Sequence, residues 1–251
     1  MKTMRIDIVS LFPEMFAGPF GHSIIRRACD AGILHIAVTN PRDYAMDKHR
    51  IVDDTPFGGG SGMVMKPEPV FRAVDDILQQ IAVDNRRIIL MCPGGQTFAQ
   101  ETARRLATYD QLILLCGHYE GMDERVREHL AHEALSIGDF VLTGGELPAM
   151  MVVDAVARML PGVLGASDAA VHDSFYAGLL EYPQYTRPRD FRGWQVPDVL
   201  VSGDHAKIAL WWRKQSLRNT LLRRPDLLER APLTQEDAVL LDEIRSELRG
   251  G

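Results

Sequence analysis

The chain has 251 residues, 46% hydrophobic and 25% charged, the ordinary balance of a globular protein long enough to bury a full core. No apolar run approaches the roughly 20 residues of a membrane-spanning helix, and the N-terminal MKTMRIDIVSLFPEMF is broken by Asp7 and Pro13 before it can form a signal sequence, so the reading is a cytoplasmic protein with no membrane partner. The net charge of −6 speaks against a uniformly basic nucleic-acid binder, and three cysteines without a CxxC pair (Cys29, Cys92, Cys116) exclude a disulfide framework and a cysteine-rich zinc site.

Through the first two thirds, strand and helix patterns alternate. RIDIVSL (5–11) predicts a strand and PFGHSIIRRACDAG (19–32) a helix stopped by Gly32. ILHIAVT (33–39) is the next strand, and a long polar loop follows over 40–63. PEPVFRAVDDILQQI (67–81) predicts a helix with prolines in its first turn. RRIILMC (86–92) predicts a strand ending at Pro93-Gly94-Gly95, FAQETARRLATY (98–109) a helix, and QLILLC (111–116) a strand. GHYEGMDERVREHL turns into a helix, SIGDFVLTGGE (136–146) supplies a last strand and a glycine turn, and a helix runs from about 146 to 160, stopped by Pro161-Gly162. Apolar strands joined by helices predict an α/β domain with a mostly parallel sheet buried on both faces. After residue 165 the pattern changes. ASDAAVHDSFYAG (166–178) reads as a linker, 204–224 as a basic helix, and 233–249 as an amphipathic helix with Thr234 as N-cap and Asp237 in the capping-box position. The expected organisation is an α/β domain over 1–164, a linker over 165–179 and a small, mainly helical domain over 180–251.

Three glycine-bearing turns follow neighbouring predicted strands: Pro93–Gly95, Gly117–Gly121, and Gly138 with Gly144-Gly145. Carboxyl ends of parallel strands gather on one sheet edge, where ligands bind, and glycine lets the backbone approach them closely. None of these turns carries the Lys-Ser/Thr of a triphosphate site, and no acidic residue stands where a dinucleotide fold would hold a ribose. The arrangement suits an adenosine without phosphates, against the alternative of three plain strand-to-helix turns. A fourth cluster, DDTPFGGGSGM (53–63), fails the phosphate-loop spacing at Met63 and reads either as a lid or as a surface loop. Charge is uneven. Arg187 to Arg224 holds nine basic and three acidic residues, so that segment is +6 and the remainder is −12. This pattern fits a local anionic-polymer surface or a solvated helix face.

The stretches LFPEMF, NPRDY, DKHRIVDDTPFGGGSGMVM, LLCGHYEGMDERV, SIGDFVLTGGELPAM, DAVARMLPGVLG, DSF, YTRPRDF and KQSLRNTLLRRPDLL, in this order over nearly the whole chain, closely resemble the bacterial tRNA (guanine-N1)-methyltransferases of the TrmD type and SPOUT class. The resemblance implies methyl transfer from S-adenosylmethionine to N1 of the guanosine just 3′ of the anticodon. It also implies a deep trefoil knot late in the α/β domain, a homodimer with the active site between subunits, and a magnesium dependence with no assignable site. By matching motifs, cofactor contacts fall on Pro93, Gly95, Gly117, Tyr119, Glu120, Ser136, Ile137, Gly138, Leu142, Gly144, Gly145 and Pro148, and the catalytic pair on Arg158 and Asp173. Gly94, His118 and Phe140 stand where the family usually has Gln, Arg and Tyr, so no side-chain hydrogen bond is carried over to them.

Those residue types suit the reaction. Guanine N1 holds a proton at neutral pH, and removing it places charge on N1 and O6. A carboxylate such as Asp173 can take the proton, and an Arg fork such as Arg158 can hold the O6 charge. From the residues alone other readings stand: Arg158 lies i, i+4 from Asp154 as an ordinary ion-pair partner, and Asp173 suits a loop cap. His129 and His132, at i, i+3, lack a third metal ligand. Trp211 and Trp212 fit either base stacking or the core of the small domain, and Lys214, Arg218 and Arg223 are the expected tRNA phosphate contacts. A non-catalytic RNA-binding module responding to an adenosine ligand, and an ATP-using RNA enzyme, are the rival functions.

Overall fold

The computed structural model describes residues 3–165 and 173–250. The chain forms two compact units, Met1–Ser167 and Asp168–Gly251.

The strands of the first unit are β1 (Met4–Val9), β2 (Leu34–Thr39), the short β3 (Asp53–Asp54) and β4 (Val64–Met65), β5 (Arg86–Thr97), β6 (Gln111–Cys116) and β7 (Glu133–Ser136). Five of them form one sheet in the order β2-β1-β6-β5-β7, every pairing parallel, while β3 and β4 make a separate antiparallel ribbon. The helices are α1 (Ala17–Phe20), α2 (Ser23–Asp30), α3 (Pro67–Gln80), α4 (Gln100–Leu106), α5 (Glu124–His129) and α6 (Glu146–Ala157). Strand alternation sorts the apolar side chains into two cores. Ile6, Ile8, Ile89, Leu112 and Leu114 meet α2, α4 and α6 through Ile25, Leu106, Val152 and Val156. Val9, Ile88, Leu90, Ile113 and Leu115 meet α3 and α5 through Val70, Val74, Ile77 and Val126. The central β6 is buried at every position, which is why QLILLC is a continuous run rather than an alternation. Each fully buried aliphatic side chain here contributes roughly 1.5–3 kcal/mol. The fully buried Asp7 carboxylate is satisfied by Arg5 (Nη2–Oδ1 2.7 Å) and by Gln111 Nε2 at 2.8 Å.

Three sequence expectations change. The helix expected over 19–32 is interrupted at Gly21-His22, giving α1 and α2, and Gly32 beyond its end has a φ of 68°. Pro93-Gly94-Gly95 is not a turn: β5 continues through it to Thr97, shifting register against β7 between Met91 and Gln96. A side chain at 95 would overlap the backbone of Ala134, so Gly95 lets two strands touch. The strand expected within 136–146 lies earlier, at Glu133–Ser136, and Phe140, Val141 and Leu142 sit exposed in a loop. The chain leaves the sheet there because Ser136 Oγ donates to Gly138 O (3.0 Å) and accepts from Gly138 N–H (3.2 Å), while Gly138 has a φ of 148°.

The second unit holds the hairpin β8 (Asp190–Phe191) and β9 (Trp194–Gln195), then α7 (His205–Arg223), α8 (Pro225–Leu228) and α9 (Gln235–Gly250). Its core joins α7 and α9 through Leu217, Leu240, Leu241 and Ile244, with Leu179. The capping box forms as expected: Asp237 Oδ2 accepts from Thr234 N–H at 2.8 Å, and Thr234 Oγ1 accepts from Asp237 N–H at 3.2 Å. Of the linker expected over 165–179, residues 166–172 lie outside the described residues. Residues 173–179 belong to the second unit: Leu179 is in its core and Phe175 N–H bonds Leu179 O at 2.7 Å.

Candidate active site

A cleft of about 340 Å³ opens beside the middle of β5, at residues 90–93, and the carboxyl ends of β6 and β7, the edge at which parallel sheets take ligands. Its wall is formed by β5 at 90–93, the turn 117–122, the segment 135–137 and the loop 140–145, closed by Pro148 of α6. Residues 144 and 145 tuck against the end of β6. Gly145 N–H donates to Gly117 O at 2.8 Å, and His118 and Gly144 form an antiparallel bridge. A Cβ at 145 would stand 2.7 Å from Cys116 Cα and 3.0 Å from Gly117 N, and one at 144 would overlap the Glu146 carboxylate and the His118 imidazole. Position 145 therefore requires glycine for backbone-to-backbone approach, while Gly144 leaves room for the Glu146 and His118 side chains.

Opposite, Tyr119 adopts a φ of 59°, an uncommon conformation for a bulky residue costing about 1 kcal/mol, next to Gly121 at 118°. The 53–63 loop is tied to this turn, since Glu120 N–H donates to Met63 O (3.0 Å) and Met65 N–H to Gly121 O (2.9 Å). Gly62 lies so close to Glu120 that any side chain there would overlap its carboxylate. The glycine-rich loop is thus carried on the β3–β4 ribbon at the rim of the cleft.

The charged side chains lining the cleft are Glu120, Glu124 and Arg127, the last donating to Gly94 O at 2.9 Å. Glu146, 2% exposed, opens α6, where a carboxylate faces the positive helix end, and accepts from Ser10 Oγ at 2.7 Å. His118 Nδ1 is 4.0 Å from Glu146 Oε2, and its ring lies between Phe12 (4.9 Å) and Tyr119 (5.1 Å). Burial, with the nearby Glu146, pushes the Cys116 thiol well above its ordinary range, which makes it a poor nucleophile.

Of the expected cofactor residues, Pro93, Gly117, Tyr119, Glu120, Ser136, Ile137, Leu142, Gly144, Gly145 and Pro148 line this one cleft. Gly95 and Gly138 do not. Gly95 serves the β5–β7 contact, and a Cβ on Gly138 would stand 2.6 Å from the Phe140 ring. Arg127 was missed because a basic residue on a short helix looks like a solvated face in sequence. Arg158 caps α6, its N–H bonded to Asp154 O at 3.2 Å, and is half-buried. Asp173, also half-buried, belongs to the second unit, where its carbonyl accepts from Tyr176 N–H. His132 Nδ1 accepts from Ile88 N–H at 2.8 Å, a structural task, and its imidazole is pushed down by burial and by Arg87. Among the described residues no group of three or more His, Cys, Asp or Glu is placed to hold a metal ion.

In the second unit Trp212 stacks on Tyr182 (4.8 Å, 13°) and Trp211 lies 6.4 Å from Tyr185. Lys214 Nζ is bound by Glu243 (2.8 Å) and Glu247 (2.9 Å), and Arg218 by Glu247 (2.8 Å). Both cations therefore join α7 to α9, whereas Arg223 stands exposed with no carboxylate within ion-pair distance among the described residues. No helix among the described residues is long and apolar enough to cross a membrane.

The sequence model of the family described as tRNA (Guanine-1)-methyltransferase TrmD matches residues 4–230. The chain is similar to curated proteins named tRNA (guanine-N(1)-)-methyltransferase. The one from Dehalococcoides mccartyi (strain CBDB1) is 57% identical over 244 residues, covering 97% of this chain and 98% of the relative. Those from Dictyoglomus turgidum (56%, covering 98% of each chain) and Staphylococcus carnosus (54%, covering 98% and 99%) match over 246 residues. The glycine-built cleft thus sits in a chain that belongs to the TrmD family of tRNA (guanine-1)-methyltransferases.

Proposed function

We propose that the protein is a cytoplasmic enzyme that methylates N1 of the guanosine immediately 3′ of the anticodon in tRNA, with S-adenosylmethionine as donor. Membership of the family supports the reaction class. The observation that carries the donor is the cleft itself: a cradle shaped by the close backbone approach of Gly145, whose charged lining among the described residues is two carboxylates, Glu120 and Glu124, against one cation, Arg127, already bonded to Gly94 O, and no lysine. A phosphate-bearing nucleotide would want the reverse charge. S-adenosylmethionine, when bound, supplies an electrophilic methyl group. The chain's own residues supply position and proton handling. The 117–121 and 137–145 segments hold the donor by main-chain contacts, with side chains such as Leu142 and Pro148 excluding water. Asp173 takes the N1 proton and Arg158 donates to O6, where the charge gathers; with the donor bound, the N1 lone pair would then form the bond to the methyl carbon as the S–CH3 bond breaks, its electron pair leaving with the sulfur as a neutral thioether.

A homodimer is supported by exposed apolar side chains beside the cleft, Phe140 and Val141 on the loop and Leu147 and Met151 one turn apart on α6. The knotted topology of the SPOUT class is supported by the path of 137–145, which leaves the edge strand β7 and returns across β5 to bond the end of β6. Lys214, Arg218 and Arg223 face tRNA phosphates in this reading, Arg223 without competition and the other two against Glu243 and Glu247.

Incubation with an unmodified tRNA transcript and methyl-labelled donor, followed by base mapping, tests the proposal. The expected product is N1-methylguanosine next to the anticodon. Asp173→Ala and Arg158→Ala should each lower kcat by about 100-fold or more while donor binding persists. Wild-type turnover in both variants would reject the assignment. Mixed dimers of an Asp173 variant and a Gly144 variant should regain part of the activity.

A further inference from the structure

The β8–β9 hairpin carries a feature that neither the cleft nor the α7 cations explain. Its strands join through Arg192-Gly193, both left-handed (φ 60° and 84°), the two-residue turn whose twist matches a hairpin. Asn or Gly would adopt the first position more easily, yet an Arg is held there. Asp190 fixes the turn by accepting from Gly193 N–H at 2.9 Å, and Val196 N–H bonds Arg189 O at 2.9 Å. The register sets Phe191 directly opposite Trp194, so both rings project from one face of the ribbon. Their centroids are 6.1 Å apart at 49°, and they remain 54% and 70% exposed. The Arg192 guanidinium carbon lies 5.2 Å from the Phe191 centroid. Among the described residues neither Arg187 nor Arg192 has a carboxylate partner, while Arg189 is paired with Asp198 at 2.8 Å. The tip thus presents the exposed Trp194 ring beside a Phe191 ring backed by Arg192, with no carboxylate paired to Arg187 or Arg192 among the described residues, on a turn whose first position is held by a strained Arg.

We propose that Phe191 and Trp194 form a nucleobase-stacking platform, with Arg192 and Arg187 as phosphate contacts, that grips an unpaired segment of the tRNA. The inference rests on the reading of the protein as a tRNA-modifying enzyme and adds a surface that the charge pattern of α7 does not contain. Every base offers a ring face, so the platform adds affinity without reading sequence, and the arginines supply the salt-dependent part. The ionic character of the patch favours a polyanion over an apolar protein partner. The open, tilted rings favour one with bases over one without.

The full-length protein, its Trp194→Ala, Trp194→Phe and Arg192→Asn variants, unmodified tRNA and heparin (a polyanion without bases) provide the test. Trp194→Ala should raise the tRNA Kd about tenfold, leave heparin binding and S-adenosylmethionine binding unchanged, and raise KM for tRNA with little change in kcat. Trp194→Phe should recover most of the loss. Arg192→Asn, which suits the turn, should weaken both polyanions and lower the slope of log K against log salt by about one. An unchanged tRNA Kd in Trp194→Ala, or equal losses for tRNA and heparin, would overturn the platform while leaving the methyltransferase reading intact. The same holds if Trp194→Ala instead lost binding to anionic phospholipid vesicles with its tRNA Kd unchanged. Wild-type protein that neither retains nor methylates tRNA would overturn both.

Discussion

The cleft of the first unit and the basic surface of the second are built from different materials. The cleft is shaped by backbone approach: Gly145 admits the backbone of Cys116 and Gly117, and its N–H bonds Gly117 O at 2.8 Å. The second unit is made of side-chain charge, and much of that charge is already spent. Of the nine basic residues from Arg187 to Arg224, Arg189, Lys207, Arg213, Lys214, Arg218 and Arg224 each hold a carboxylate. Three of the acids responsible, Asp237, Glu243 and Glu247, lie on α9, outside the segment counted as +6. A backbone-built site is fixed by its glycines and tolerates little change there. A charge-built site is diluted by whatever acids the fold returns to it.

The sharpest way to break that contrast is to put a side chain where only main chain fits. Gly145→Val should lower S-adenosylmethionine affinity by more than about 100-fold, because the new Cβ meets Cys116 Cα and forces the 144–145 segment away from Gly117. Calorimetric titration reads the loss. tRNA retention by the second unit, followed in the same variant, should stay near wild type. Donor binding within about threefold of wild type would mean that side chains, not backbone approach, make the cradle.

A smaller effect is expected from the second unit's best-placed ion pair. Arg213 Nε and Nη2 each bond Asp237 at 2.7 Å, and Asp237 also closes the cap of α9. Asp237→Ala removes both, and should destabilise the unit by about 3 kcal/mol, the lower end for a broken buried pair because solvent reaches Arg213. The hydrogen bonds from Arg213, with those from Thr234, hold the Asp237 carboxyl down at about 2 against an ordinary 3.8. A depressed carboxylate stabilises the fold fully above its unfolded pKa and loses that contribution as pH falls through the folded one. The stability gap between wild type and Asp237→Asn in thermal melts should therefore be constant above about pH 4 and shrink towards pH 2. A gap that does not narrow on acidification would deny the pair its role.

Legibility in the sequence follows the same division. The central strand QLILLC and helix α7 are read to within a residue, because a run of buried apolar positions and a long capped helix are set by local pattern. The glycines that bound the cleft are legible as well, since a missing Cβ is a plain signal. Pro93–Gly95 and SIGDFVL were misread for one reason: an apolar run beside glycine looks like a strand and its turn, whereas Gly95 serves strand contact and Gly138 sends Phe140 and Val141 out to the surface. No local pattern reports that a chain segment returns to bond a strand two places away, or that Glu247, thirty-three residues on, neutralises Lys214.

That neutralisation predicts the smallest effect. Glu247 binds both Lys214 (2.9 Å) and Arg218 (2.8 Å) on an exposed helix face, and the hydrogen bond from Lys214, followed by that from Arg218, draws its carboxyl below the usual range. If these two cations meet tRNA, Glu247→Gln removes their competitor without removing them. Lys214 still has Glu243, so the gain is that of freeing about one cation. Exposed pairs are weak and screened within roughly 10 Å at 0.1 M salt. Glu247→Gln should therefore tighten tRNA binding by no more than about threefold at low salt and steepen its salt dependence, the gain fading as salt is added. The complementary Arg218→Gln should loosen binding by a similarly small factor, whereas Arg223→Gln, which removes a cation held by no acid, should cost more. Titrations of unmodified tRNA at three or more salt concentrations measure all three. If Glu247→Gln weakens binding or leaves it unchanged, Lys214 and Arg218 are the glue between α7 and α9 and nothing more, and the tRNA surface of the second unit shifts to Arg223 and the 190–195 hairpin.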